Sequence, residues 1–115
     1  YATFPQALVE PCILAGTSER GVCAKCGAPW ERVRKTFAWR PTCACGSQTT
    51  VPATVLDPFA GTCTTAVVAQ KLGRKAVMIE LSPAYCEIAR RRLQKMPLPL
   101  VGLSGAPSLS LGLTP

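Results

Sequence analysis

The sequence lacks a long apolar run, and it has few acidic residues. No uninterrupted apolar stretch approaches the roughly 20 residues that a helix needs to span a bilayer, so we expect no membrane-embedded part. Residues 1–20 also lack a basic start followed by an apolar block, which argues against a targeting peptide and favours a cytoplasmic protein. Six acidic residues stand against 13 basic ones, giving a formal net charge of +7 and a pI near 9.3. This excess favours a polyanionic partner through phosphate neutralisation, although solubility alone would also explain it.

The chain also lacks a methionine at its start. It begins at Tyr1, and its 115 residues are the size of one domain, so we expect a fragment of a longer protein. Composition divides it into four segments. They are a short helical segment at 1–20, a cysteine-rich unit at 21–50, a regular strand and helix region at 51–96, and an uncharged tail rich in Pro, Gly, Ser and Leu at 97–115, which we expect to be disordered or to serve in docking.

The first segment, FPQALVEPCILAG, predicts a short helix. Pro5 suits the first turn because its missing N–H costs nothing there, and Pro11 predicts a kink or a break. Helical spacing places Ala7, Leu8 and Cys12 on the buried face of this helix, together with Leu14 or Ala15.

Residues 54–95 have the pattern of a strand, a loop, a helix, a second strand and a second helix. The first strand contains Leu56, a helix covers about 64–72, and KAVMIEL is the next strand, apolar on both faces as a parallel strand between helix layers should be. Ser82 caps a final helix over about 84–95. Its predicted inward face holds Tyr85, Ile88, Ala89 and Leu93, and its solvated basic flank holds Arg90, Arg91, Arg92 and Lys95. This alternation predicts an α/β fold with a right-handed βαβ unit and a ligand site at the carboxyl ends of its strands.

Three residues give that site its chemistry. Asp57 ends the first strand, Gly61 lets the loop backbone approach a ligand, and Glu80 ends the second strand, where a carboxylate can accept hydrogen bonds from both hydroxyls of a ribose. The loop lacks the three-glycine spacing of a pyrophosphate binder and the Gly-Lys-Ser/Thr of a P-loop, so a nucleoside ligand without phosphates fits it better. Alternatively, the glycine and the acid serve only the turn and the cap.

Four of the seven cysteines are paired in a metal-ligand spacing. Cys23 and Cys26 have two residues between them, and Cys43 and Cys45 form a tighter pair 16 residues later, near the spacing between the halves of a zinc ribbon. Four thiolates would close a tetrahedron around Zn²⁺, which makes the predicted role structural. The alternative is a set of reduced cysteines in a loop.

The residues between the cysteine pairs alternate aromatic and basic side chains. Trp30, Phe37 and Trp39 are interleaved with the basic residues Arg32, Arg34, Lys35 and Arg40. Such a hairpin can contact DNA, or it can bury its aromatic rings against the rest of the protein, and the sequence leaves both interpretations open.

The segments FPQALVEPCILAGTS and VLDPFAGTCTTAVVAQKLGRKAVMIELSPAYCEIARRRL together resemble the C-terminal part of the amino-methylating DNA methyltransferases. That family transfers a methyl group from S-adenosylmethionine to adenine N6 or cytosine N4. The motifs cover about residues 1–18 and 54–93, in the order of the permuted type whose catalytic half precedes its cofactor-binding half. The resemblance implies a partial Rossmann-like S-adenosylmethionine-dependent methyltransferase fold. The cysteine spacing adds a small zinc-ribbon-like insertion to it. It also implies double-stranded DNA as a partner, and a bacterial, archaeal or phage enzyme of the restriction-modification type.

The resemblance also assigns the cofactor contacts. Phe4 and Pro5 would border the methionine part, Glu80 would hold the ribose, and Leu81 would pack near the adenine. The loop and the following helix N-terminus, which favours a carboxylate, would supply Asp57, Phe59, Gly61, Thr62, Cys63, Thr64 and Thr65.

Two departures from the family pattern affect these expectations. The catalytic tetrapeptide, an Asp, Asn or Ser followed by Pro-Pro and an aromatic residue, is absent, so no catalytic residue is expected in this chain and an upstream catalytic half is implied. Cys63 stands where the family usually has glycine, and a Cβ at positive φ would cost of order 1 kcal/mol. The alternative to an enzyme portion is a non-enzymatic zinc-ribbon module, binding nucleic acid or another partner, that carries a degenerate methyltransferase remnant.

Overall fold

A computed structural model describes residues 4–97 of the chain. The expectation for the tail at 97–115 therefore lies, apart from Pro97, outside the described residues. Within 4–97, no helix is both long and apolar enough to cross a membrane. The elements in chain order are α1 (Gln6–Gly16), β1 (Val22–Cys23), β2 (Trp30–Arg32), β3 (Trp39–Pro41), β4 (Thr50–Val51), β5 (Thr54–Asp57), α2 (Thr64–Lys71), β6 (Lys75–Met78) and α3 (Pro83–Gln94).

The second half of the described chain forms a parallel βαβ unit. Strands β5 and β6 pair in parallel, from Thr54 opposite Lys75 to Asp57 opposite Met78, and α2 connects them. Gly73 has a φ of 70° just after α2, a conformation that glycine adopts without cost and that ends the helix. The predicted α/β organisation is thus confirmed for this part of the chain.

Helix α1 packs against α2 with a face that differs from the predicted one. The buried residues of α1 are Val9 and Ile13, which pack on Val68 and Ala69 of α2. The predicted face was wrong, because Ala7, Leu8 and Cys12 are exposed. Pro11 does not break the helix, which continues to Gly16.

Helix α3 covers the other end of the same sheet face. Ala89 packs with Ala60, Cys63 and Ala66, and Met78 lies against this second cluster. Ala89 is the buried residue of α3, and the predicted inward residues Tyr85 and Ile88 are instead 39% and 49% exposed.

The opposite face of the two-stranded sheet is uncovered within residues 4–97. Leu56 and Val77 are register partners, so they share this face, and they are 62% and 48% exposed. The sequence predicted a second strand buried on both faces, and this part of the prediction is wrong for the described residues. A strand that is apolar on both faces is typical of a sheet covered by helices on both sides. Within residues 4–97, helices cover one side only.

The cysteine segment forms two short antiparallel pairs. Strand β1 pairs with β4, and β2 pairs with β3 as a hairpin. Gly21, with a φ of 104°, lies so close to β4 that a Cβ would come within 2.2 Å of the Val51 carbonyl oxygen. Glycine is therefore required where the chain enters this unit.

Candidate functional site

The loop after β5 is held by the carboxylate of Asp57. One oxygen, Oδ1, accepts a hydrogen bond of 3.0 Å from the Phe59 N–H, and the other, Oδ2, accepts one of 2.7 Å from the Thr65 hydroxyl. Asp57 thereby ties the start of the loop to the first turn of α2. The predicted loop residue Phe59 is 88% exposed beside it.

Glu80 follows β6 and fastens the far side of the same loop. Its Oε2 accepts a hydrogen bond of 2.7 Å from the Gly61 N–H, and its Oε1 accepts one of 2.8 Å from the Ser82 N–H. These hydrogen bonds from Ser82 and Gly61 stabilise the ionised form and lower the pKa of Glu80. A carboxylate offers about four lone-pair positions, so Gly61 and Ser82 do not use all of its acceptor capacity. Glu80 therefore shapes the loop and keeps acceptor capacity for a ligand.

Cys63 lies at the N-terminus of α2 in a left-handed conformation. Its φ and ψ are 60° and 41°, a backbone conformation that residues other than glycine rarely adopt. Its thiol is 6% exposed and packs with Ala60, Ala66 and Ala89, and burial raises its pKa. A positive φ, one of the conditions under which the sequence predicted a cost for this cysteine, is present here. A buried thiol with a raised pKa is a poor nucleophile.

A groove between α1 and β5 brings several predicted cofactor residues together. Its volume is about 540 Å³, and Phe4, Asp57 and Thr65 are among its lining residues. Its walls also include Leu8 and Cys12, the exposed apolar face of α1. Gly61 and Glu80 do not line this groove, but they are joined by a hydrogen bond on the neighbouring loop. Of the remaining predicted contacts, Pro5 precedes α1, Leu81 is 95% exposed, and Thr62 and Thr64 are held by a residue that the sequence did not indicate.

That residue is Arg92, predicted as part of a solvated flank. Its Nη1 donates to the carbonyl oxygen of Thr62 at 3.2 Å and to the hydroxyl of Thr64 at 3.1 Å. Arg92 therefore braces the loop around Cys63 from α3. The sequence does not predict these contacts. An arginine on the basic flank of a helix has the same spacing whether its side chain extends into solvent or reaches a neighbouring loop.

The four paired cysteines converge in the structure. The Sγ atoms of Cys23, Cys26, Cys43 and Cys45 all lie within 4.8 Å of one another. Thiolates bonded to one Zn²⁺ at about 2.3 Å would be just under 4 Å apart, so a small closing movement would suffice. The chain contains no histidine, so no imidazole can take part in a metal site here.

The thiols of this cluster influence one another's ionisation. Backbone N–H groups of Cys26 and Lys25 lower the pKa of Cys23 to about 7, whereas the neighbouring Cys26 raises the pKa of Cys45 to about 12. Mutual repulsion prevents four thiolates from coexisting in so small a volume without a positive charge. A divalent ion would reverse that preference and deprotonate the thiols.

The hairpin β2–β3 separates its three aromatic residues. Trp30 is buried, Trp39 is half-buried and Phe37 is 73% exposed at the turn. The Arg32 guanidinium lies 5.6 Å from the centre of the Phe37 ring and 5.9 Å from that of Trp39. Of the two interpretations left open by the sequence, burial applies to Trp30 and exposure to Phe37.

Residues 1–91 match a family model for DNA methylases of the N6 and N4 type. The chain belongs to this DNA methylase family. The match covers α1, the cysteine segment, the βαβ unit and most of α3, so the predicted resemblance to amino-methylating DNA methyltransferases is confirmed.

Two type II methyltransferases align with most of the methylase chain. M.Cfr9I of Citrobacter freundii is 35% identical over 94 residues, which cover 82% of this chain and 21% of the relative. M.SmaI of Serratia marcescens is 31% identical over 93 residues, which cover 81% of this chain and 21% of the relative. M2.LlaDCHI of Lactococcus lactis subsp. cremoris is 51% identical over 41 residues, 36% of this chain and 15% of the relative. The methylase chain spans about a fifth of the length of the first two relatives.

The two longer alignments pass through the cysteine segment of this chain. An alignment of 93 or 94 residues within a chain of 115 has to include residues 23–93 wherever it begins. The four cysteines therefore lie within the region aligned with M.Cfr9I and M.SmaI.

Proposed function

We propose that this chain is the S-adenosylmethionine-binding portion of a DNA methyltransferase that methylates an exocyclic amine, adenine N6 or cytosine N4. The observation that carries the proposal is the loop between two parallel strands, fixed on one side by Asp57 and on the other by Glu80. This position, at the carboxyl ends of the strands, is where open α/β sheets bind ligands. Membership of the DNA methylase family supports the reaction class and, with the βαβ unit, a Rossmann-like sheet.

The residues around the loop suit the parts of this cofactor. The free acceptor positions of Glu80 can take hydrogen bonds from the two ribose hydroxyls, and the exposed Leu81 offers an apolar surface for the adenine. Phe4 and Pro5, at the entrance to α1, would border the methionine part, and the N-terminus of α2 favours its carboxylate. When bound, the cofactor would supply an electrophilic methyl group, and these residues would position it for transfer to the amine of an extruded base.

We infer that the chemistry needs a catalytic half that this chain does not contain. The family tetrapeptide that accepts hydrogen bonds from the target amine is missing from the sequence. The uncovered face with Leu56 and Val77 supports this inference, since an apolar sheet face of a complete domain is normally covered by a second layer. Alone, the chain is expected to bind the cofactor weakly and to transfer no methyl group.

We further propose a structural Zn²⁺ held by Cys23, Cys26, Cys43 and Cys45. The four sulfurs leave no open coordination position, which suits folding of the segment and not catalysis. The ion would hold β1, the hairpin and β4 together. These short strands bury little apolar surface of their own, so the segment needs such a link to be stable.

The second candidate is a non-enzymatic zinc-ribbon module with a methyltransferase remnant. The left-handed Cys63 favours it, because strain in the loop would weaken cofactor binding. The hydrogen bonds of Glu80 to its own loop also suit a purely structural carboxylate.

Titration calorimetry with S-adenosylmethionine separates the two candidates. We expect measurable binding that Glu80→Gln weakens by about tenfold or more, since hydrogen bonds to a charged acceptor are each worth about 1.5–3 kcal/mol. Glu87→Gln is the matched control, because Glu87 is exposed on α3 and pairs with Arg90 and Arg91. No binding by the parent, and none after Cys63→Gly, would favour the remnant.

A further inference from the structure

The turn of the hairpin β2–β3 is exposed, basic and apolar at once. Every residue from Arg34 to Ala38 is exposed, and Phe37 is 73% exposed. Glu31 is the one acidic residue of the hairpin, and Arg40 neutralises it in an ion pair. Within residues 4–97, Arg34 and Lys35 form no ion pair, so their charges face solvent without compensation.

Phe37 breaks two local preferences together. Its φ is 51°, a left-handed conformation that suits glycine or asparagine, and its ring is in water instead of in the core. Nothing in the turn itself requires a ring, because the turn closes through the Val33 N–H to the Ala38 carbonyl, at 2.8 Å. Such unsupported violations of local preference tend to occur at functional sites.

The base of the hairpin is anchored while its turn projects. The Trp30 N–H donates to the Gly21 carbonyl at 3.1 Å, and the Ser18 hydroxyl donates to the Trp30 carbonyl at 2.5 Å. The four converging cysteines lie beyond both ends of the hairpin. At the turn, Arg32 lies within 6 Å of the Phe37 ring and helps to fix its position.

We propose that this turn is a DNA contact separate from the cofactor loop, with Arg34 and Lys35 on backbone phosphates and Phe37 stacked on an unpaired or weakly paired base. It rests on the proposed function in one respect, namely that DNA is the substrate. Cations at phosphates give affinity without sequence preference, and an aromatic ring stacks on any base that leaves the helix. A methyltransferase that extrudes its target base creates such disturbed base pairs.

The charge part of the proposal is tested by the salt dependence of binding. The full chain is titrated into a fluorescein-labelled DNA duplex, and anisotropy is measured from about 50 to about 200 mM salt. The double variant Arg34→Gln/Lys35→Gln should reduce the slope of log K against log salt by about 1.8. The control Arg91→Gln/Lys95→Gln removes the same charge from α3 and should change the slope by less than half as much. Equal slopes for the parent and the hairpin variant, or no DNA binding by the parent, would overturn the proposal.

The stacking part is tested with Phe37→Asn. Asparagine accepts the left-handed conformation, so this variant should unfold at the same or a higher temperature than the parent. The parent should prefer a duplex with a single mismatch over the matched duplex by about tenfold, and Phe37→Asn should lose that preference while Phe37→Trp keeps it. An unchanged preference in Phe37→Asn contradicts a stacking role.

Calorimetry with S-adenosylmethionine on the same variants keeps the two proposals apart. The hairpin variants should bind the cofactor as the parent does, because the turn lies outside the loop of Asp57 and Glu80. If the parent binds no cofactor but binds DNA through the hairpin, the proposed function is refuted and the DNA contact is not. Intact cofactor binding with hairpin-independent DNA binding would refute the DNA contact alone.

Discussion

Cys63 combines a strained backbone with a well-packed side chain, so its replacement changes stability in two opposing ways. Glycine at this position removes the left-handed strain, worth about 1–2 kcal/mol, but also empties the space now filled by the thiol. Alanine empties much of the same space and keeps the strain. We therefore expect Cys63→Gly to be more stable than Cys63→Ala by about 1 kcal/mol, as measured by urea unfolding.

The comparison of the two variants isolates the backbone, because most of the lost side-chain packing is common to both. If Cys63→Ala were as stable as Cys63→Gly, the residue would not be strained in solution. The loop would then adopt another conformation from the one with φ of 60°.

Glu80 makes stability depend on pH through its folded-state contacts. The N–H groups of Ser82 and Gly61 lower its pKa below the ordinary value of 4.5, so the folded state binds this proton less readily than the unfolded state. Its stabilisation is complete above pH 4.5 and is lost as the pH falls through the lowered folded pKa. In Glu80→Gln the unfolding free energy should therefore fall less steeply below pH 4.5 than in the parent, as measured by urea titrations at a series of pH values.

Glu87→Gln provides the comparison for that experiment. Arg90 and Arg91 lower the pKa of Glu87 to about 2. The stabilisation that Glu87 contributes should therefore persist until the pH approaches 2, and Glu87→Gln should remove it. If the unfolding free energy of Glu80→Gln falls as steeply below pH 4.5 as that of the parent, the loop contacts of Glu80 do not persist in solution.

At the scale of elements, the periodic parts of the chain were predictable and the packing faces were not. The helices predicted at about 64–72 and 84–95 are found at Thr64–Lys71 and Pro83–Gln94, because glycine, serine and proline mark their ends. The face of α1 was not predictable, since its apolar residues occur on all sides and only the packing against α2 selects Val9 and Ile13. Element boundaries follow local chemistry, whereas faces depend on partners distant in sequence.

The site shows the same division between local and long-range information. The spacing of the cysteines predicted their convergence, and the strand ends predicted Asp57 and Glu80 beside one loop. The bracing by Arg92, 30 residues from Thr62, has no local signature and was found only in the structure. The exposure of Phe37 also depends on the pairing of β2 with β3.

The cysteine segment should depend on metal for its fold. We expect one Zn²⁺ per chain by metal analysis, and Cys26→Ser should lose it because three thiolates hold the ion much less tightly than four. Cys12→Ser is the control, since Cys12 is an exposed cysteine on α1 outside the cluster. A chelator should unfold β1 to β4, which amide exchange would detect as lost protection; a protected, metal-free segment would contradict the zinc proposal.

At the scale of the molecule, all three helices pack on one side of the sheet. Their clusters include Val55, Ala76 and Met78, whereas Leu56, Val77 and Ile79 remain exposed within the described chain. Coverage of about a fifth of the relatives, together with one open apolar sheet face, supports the proposal that this chain forms one layer of a larger domain. In the proposed arrangement, the loop between Asp57 and Glu80 lies at the carboxyl ends of the strands and faces the catalytic half.

Matched substitutions on the two sides of the molecule test this arrangement. Threonine has nearly the shape of valine, so Val68→Thr and Val77→Thr differ mainly in where they place a hydroxyl group. Val68 is 2% exposed, so its substitution should cost about 1–3 kcal/mol of unfolding free energy in the isolated chain. Val77 is 48% exposed, so its substitution should stay within about 0.5 kcal/mol. Joined to the proposed catalytic half, Val77→Thr should become as costly as Val68→Thr. If the two substitutions cost the same in the isolated chain, the face of Val77 is already covered there, either by a second copy of the chain or by residues outside 4–97. An unfolding midpoint that rises with protein concentration would indicate the second copy.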